Sequence, residues 1–151
     1  MDTPEIIKQE VNKILSLMGY VCVEETEVKE KEGRMAVSVC VDAPYEIIGE
    51  QGKTLSAFQH VARLCVARKL DSPTAIDIDV NNYRKRREEF LKDLARQAGE
   101  RARFSHEPYA MEPMSPFDRR VIHCTVAEYS DIISESAGEG FNRHVVIRPY
   151  P

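Results

Sequence analysis

The sequence predicts an α+β protein made of two small modules in series. Helical and strand periodicities alternate through the first ~80 residues and again afterwards, without the long βαβα series that builds a parallel α/β sheet. An Asn81-Asn82 pair falls where the first pattern is complete. A chain of 151 residues has room for one ordinary domain or two very small ones. With 42% apolar and 30% charged residues it can build a core and does not have the composition of a disordered chain.

Thr3-Pro4-Glu5 predicts a helix start, with Thr3 as the capping hydroxyl, proline in the first turn and an acid at the positive end of the dipole. Ile6, Ile7, Val11, Ile14, Leu15 and Met18 then share a face, and Gly19 supplies the stop. Val21–Val28 reads as a strand. Lys31-Glu32-Gly33 is a turn into a second strand with Met35, Val37, Val39 and Val41 alternating, so a hairpin is expected. A short turn or helix at Pro44–Ile48 leads into a two-glycine loop. A helix over Lys53–Lys69 follows, its buried stripe Leu55, Phe58, Ala62 and Cys65, with Val61 and Leu64 beside it. Ile76, Ile78 and Val80 alternate with Asp77 and Asp79 as a third strand. The order is helix, strand, strand, helix, helix, strand.

The second module opens with a long helix over 83–104, with Phe90, Leu94 and Ala98 at four-residue spacing and Leu91, Ala95 and Ala102 in support. Its other face carries Arg84, Lys85, Arg86, Arg87, Lys92, Arg96, Arg101 and Arg103. A proline-broken segment (107–116), a helix near 116–128 and strands at Ile132–Ser136 and His144–Arg148 complete the chain, the last two joined by Ala137-Gly138-Glu139-Gly140. The expected domains are 1–81 and 82–151.

Charge is unevenly spread. Residues 1–50 hold 5 basic and 11 acidic side chains, whereas residues 81–105 hold 8 and 4, so a polyanion could be attracted locally despite the net −4. No run of 18 apolar residues and no basic-then-apolar leader occur, which predicts a cytoplasmic protein without membrane insertion. Cys22, Cys40, Cys65 and Cys124 are scattered through apolar patterns and read as buried reduced thiols. Neither they nor the four histidines have ligand spacing, so no metal and no cofactor are expected. Gly-x-Ser-x-Gly and His-Glu-x-x-His are absent, and the carboxylates form no constellation, so an enzyme is not expected.

"YEIIGEQGKTLSAFQHVARL" (45–64) ends its glycine loop in Gly52-Lys53-Thr54, but a phosphate-binding P-loop would need glycine at position 47, which is Ile47. Gly49 comes two residues too late. In its helix-strand-strand-helix-helix-strand setting, the stretch resembles a KH domain of the bacterial type. That resemblance implies that Gly49, Glu50, Gln51, Gly52 and Lys53 contact a single strand: the glycines admit its backbone, and the next helix offers its positive end to a phosphate. Glu50 and Gln51 depart from the basic or polar pair usual there, and a carboxylate near a phosphate lowers affinity. The double change Gly49→Asp, Gly52→Asp is expected to weaken binding with little change in melting temperature.

In "SPFDRRVIHCTVAEYSDIISESAGEGFNRHVVIRP", Arg119 and His123 are spaced i, i+4 on one helix face, and Ser136, Gly138 and Arg143 precede a final apolar strand. This resembles the domain named for its Arg-x-x-x-His motif, the R-3-H domain. The implied nucleic-acid contacts are Arg119, Arg120, His123, Ser136, Gly138 and Arg143, with Arg119 forking onto a phosphate.

A KH module joined by a basic helix to an R-3-H domain resembles the Jag family, also called SpoIIIJ-associated or KhpB proteins. The resemblance covers nearly all of residues 3–149. It implies a single-stranded RNA-binding protein acting as an RNA chaperone or post-transcriptional regulator, linked to cell envelope and cell shape, with a small single-KH partner of the KhpA type. Single-stranded DNA as ligand and a homodimer through KH surfaces stay open, as does a protein-interaction module whose RNA surface has decayed. Family members carry a further N-terminal Jag domain, whereas this chain starts at the KH helix, so roles resting on that domain are not expected to transfer.

Overall fold

The computed structural model describes residues 1–151, which divide into two compact units, Met1–Arg84 and Lys85–Pro151. In the first unit, α1 (Thr3–Leu17) is capped by Asp2, whose carboxylate accepts the Glu5 N–H at 3.1 Å; the expected cap, Thr3, is the first helical residue. The strand expected over Val21–Val28 is mostly irregular. Before Glu27 only Cys22 pairs, in an isolated bridge with Val41, and Val21 and Val23 face solvent, so the alternation did not mark a buried face. The hairpin starts later, with β1 (Glu27–Lys31) antiparallel to β2 (Arg34–Val39). Glu32 and Gly33 both have positive φ (53° and 75°), as a two-residue turn matched to strand twist requires.

After α2 (Pro44–Ile48) and a single 3-10 turn (Glu50–Gly52), α3 (Lys53–Leu70) crosses over to β3 (Ile76–Val80), which pairs parallel to β2. The sheet order is β1-β2-β3. Its core joins Val37, Val39, Ile76, Ile78 and Val80 to Ile7, Val11 and Leu15 of α1 and to Leu55, Phe58, Ala62 and Val66 of α3. The α3 stripe therefore runs 55-58-62-66. Val61 and Leu64, expected beside it, are about half exposed, and Cys65 is only half-buried. On the outer side of β3, the Ile78 N–H donates to Gln59 Oε1 (2.8 Å) and the Ile76 carbonyl accepts from Arg63 Nη2 (3.0 Å). Asn81 and Asn82 both turn through left-handed φ, a conformation asparagine tolerates better than most residues. The Asn81 amide group meanwhile extends the ladder by bonding both the N–H and the carbonyl of Val41.

The long helix α4 (Tyr83–Ser105) buries Leu91, Ala95, Ala98, Gly99 and Ala102. Phe90, expected in the core, is 54% exposed and lies under the Arg87 guanidinium, 5.3 Å from its ring centroid. The buried row is 91-95-98-102, one position round from the expected one. Short β4 (Tyr109–Ala110), α5 (Pro116–Val126), β5 (Ile132–Ala137) and β6 (His144–Pro149) complete an antiparallel sheet of order β4-β6-β5. Leu91, Ile122, Val126, Ile132, Val145 and Ile147 anchor the second core. The cysteines depart from expectation as well: three are half-buried and Cys124 is exposed. No helix is long and apolar enough to cross a membrane.

Candidate nucleic-acid interface

In the first unit the candidate contact is a backbone bend. Gly49 ends α2 at φ 71°, ψ −179°; Gln51 follows at φ 54° and Gly52 at φ 76°. Three left-handed residues in four turn the chain sharply enough for α3 to begin at Lys53 without a side-chain cap. Neither glycine has spare room. A Cβ on Gly49 would run into the Thr54 side chain, its Cβ 2.7 Å away, and one on Gly52 would lie 2.9 Å from the Tyr83 ring. Both glycines are thus required by the fold, which revises the expectation that Gly49→Asp with Gly52→Asp leaves the melting temperature nearly unchanged. Of the predicted contacts, Glu50 and Lys53 are exposed, Gly49 and Gln51 are half-buried, and Gly52 is buried.

In the second unit the contact is made of side chains. Ser115 caps α5 by accepting the Asp118 N–H at 3.2 Å, and Asp118 is buried against Arg87 of α4 at 2.7 Å. That ion pair fixes the first turn of α5, from which the next residue, Arg119, reaches β5. Arg119 Nη1 donates to Ser136 Oγ (3.4 Å) and its Nε to the Met114 carbonyl (3.3 Å). The His123 ring lies between two serine hydroxyls of the same strand: Nδ1 is 2.7 Å from Ser134 Oγ and Nε2 is 2.9 Å from Ser136 Oγ. Arg119, His123 and Ser136 are thereby brought together. Arg143 Nη1 donates to the Gly138 carbonyl at 2.8 Å, closing the β5–β6 loop beside them. Arg120 is exposed and lies about 100° round α5, away from this group.

Burial, with the positive charges of Arg119 and then Arg143, holds the His123 pKa below its ordinary value. A neutral imidazole donates from one ring nitrogen and accepts at the other, so it consumes one of the two serine protons. The other hydroxyl can donate outward, beside a guanidinium and next to solvent. Such a cluster suits an anionic oxygen. Ser134 was missed at the sequence level, although the alternation Ile132-Ile133-Ser134-Glu135-Ser136 puts it on the face of Ser136.

The basic face of α4 is largely occupied within the protein. Arg87 pairs with Asp118, Arg103 with Asp131, Arg96 with Asp93 and Lys92 with Glu88, while Arg84 donates to Gln59 and Arg101 to Tyr109. Most of its basic side chains thus already have intramolecular partners.

The R-3-H domain family matches residues 89–149, which include the whole cluster. The chain is also similar to RNA-binding protein KhpB of Clostridium symbiosum, with 29% identity over 137 residues, 91% of this chain and 62% of that protein. With KhpB of Bacillus subtilis (strain 168) it shares 30% over 125 residues, 82% of this chain and 60% of the other. With KhpB of Streptococcus pneumoniae serotype 2 it shares 26% over 148 residues, 97% and 45% of the two chains. The chain carries an R-3-H domain and is similar to KhpB proteins over most of its length. It spans about three fifths of the length of the first two KhpB relatives, and its match to them takes in the first unit as well as the R-3-H domain.

Proposed function

We propose that the protein binds single-stranded RNA, with residues 1–81 acting as a KH domain and residues 82–151, including the connecting helix 83–104, as an R-3-H domain. The observation that carries this reading is the Arg119–Ser136–His123–Ser134 cluster, which presents a guanidinium and a hydroxyl donor at the surface. It is supported by relatives named as RNA-binding proteins. Arg119 takes a phosphate, His123 and the serines orient it, and Lys53 with the Gly49–Gly52 backbone receives a second stretch of strand. In the cell the protein acts in the cytoplasm as an RNA chaperone or post-transcriptional regulator, without catalysis, together with a small single-KH partner of the KhpA type. Effects on cell envelope and shape follow from the RNAs it holds.

Binding of a fluorescent 12-nucleotide RNA across a salt series tests this. Log affinity should fall with log salt by about 0.7 per phosphate neutralised, and Arg119→Ala should flatten the slope by about one such step. A flat response in the unaltered protein would instead favour a protein-interaction module, a reading for which the exposed Glu50 and the 14 acidic against 10 basic residues of the first unit speak. Competition with a DNA strand of matched sequence distinguishes the two polymers.

A further inference from the structure

Phe141 is the most exposed large apolar side chain of the protein, at 97% of its accessible surface. It lies at the tip of the β5–β6 loop, in a 3-10 turn (Gly140–Asn142). The loop around it is tightly bonded. The Asn142 N–H donates to the Glu139 carbonyl (3.1 Å), the Arg143 N–H to the Gly140 carbonyl (3.2 Å) and the Arg143 guanidinium to the Gly138 carbonyl, while His144 Nδ1 is 2.9 Å from the Asn142 carbonyl. Gly138, at φ 81°, makes this closure fit, because a Cβ there would sit 2.8 Å from the Asn142 carbonyl oxygen. The loop's construction therefore holds a phenyl ring in water, where its burial would be favourable. Five residues upstream, Ser136 bonds Arg119 and His123, and Ala137 pairs with His144 at the foot of the loop. An aromatic face and an anion-binding cluster thus share one hairpin.

We propose that Phe141 is a stacking platform for one unpaired base of the strand whose phosphate lies at the Arg119 cluster. The inference rests on the RNA-binding reading above. Stacking suits this ring because every base has a π-face, so the contact adds affinity without demanding a sequence. The rigid loop also lowers the ordering cost of the contact.

The chain contains no tryptophan, so Phe141→Trp installs a single fluorophore at the proposed contact. Titrated with an eight-uridine RNA, F141W should bind at least as tightly as the unaltered protein, with its emission quenched. Phe141→Ala should bind about 5- to 150-fold more weakly, the range that loss of one base stack produces. An abasic ribose-phosphate strand of equal length should bind the unaltered protein and F141A alike. If F141A matches the unaltered protein on uridines and F141W emission does not change, the platform is refuted while RNA binding stands. If the unaltered protein fails to bind either strand at low salt, the underlying reading falls and this inference with it.

Discussion

The bend at Gly49–Gly52 and the face around Arg119 and His123 differ in what holds them in place. The bend is made of left-handed backbone, packed against Thr54 and Tyr83, and its exposed side chains include a carboxylate at Glu50. The face is made of side chains tied by hydrogen bonds to one strand and propped from below by a buried ion pair. Charge follows the same division: the first unit holds 10 basic and 14 acidic residues, the second 11 of each. Backbone contact tolerates a poor charge balance because it needs only close approach. Side-chain contact depends on every support remaining in position.

The greatest effect should come from that support. Asp118→Ala leaves Arg87 buried without its partner and should lower the stability of the second unit by about 3–5 kcal/mol. Calorimetry should show the second unit's transition falling while that of the first holds. A single transition moving as one would mean that the units do not unfold separately.

Next in size is the bend. Gly52→Asp forces a Cβ onto the Tyr83 ring at positive φ and should cost about 1–3 kcal/mol, seen as a lower melting temperature. Lys53→Glu, at an exposed position, should change stability by less than about 0.5 kcal/mol yet weaken RNA binding. If both substitutions reduce binding and melting temperature in step, the bend is purely architectural and the contrast between the units disappears.

The smallest effect is a pH dependence. Because His123 is held below its unfolded pKa, its contribution to stability is complete above the ordinary histidine value near 6.5 and declines as pH falls through that value toward the lowered one. His123→Gln should flatten the melting temperature of the second unit between about pH 7 and pH 5. RNA phosphate near the ring should raise its pKa, which an NMR titration with and without RNA would read directly. An unchanged pKa would place the phosphate away from His123.

Much of this was legible before any coordinates. Turn chemistry and periodicity placed every α-helix and four of the six strands within a few residues, and the i, i+4 spacing put Arg119 and His123 on one face; β1 begins six residues later than expected and β4 lies in the segment read as proline-broken. Errors arose where apolar alternation had no core to face, at Val21, Val23, Val61, Leu64 and Phe90. Local pattern cannot tell a buried stripe from its neighbour when both are apolar. Contacts between distant segments were hidden for another reason: Arg87 with Asp118 and Tyr83 against Gly52 depend on how elements pack, and spacing does not encode that.

The side chains of Gln59 and Arg63 lie along the outer margin of β3 and take up the Ile78 N–H and the Ile76 carbonyl. At those positions no foreign strand can zip on, so the first sheet is closed to growth by that route. Strand addition through β3 is thereby blocked by two residues of a neighbouring helix, and the opposite edge, β1, is left exposed with Glu27, Lys29, Glu30 and Lys31 crowding it with charge.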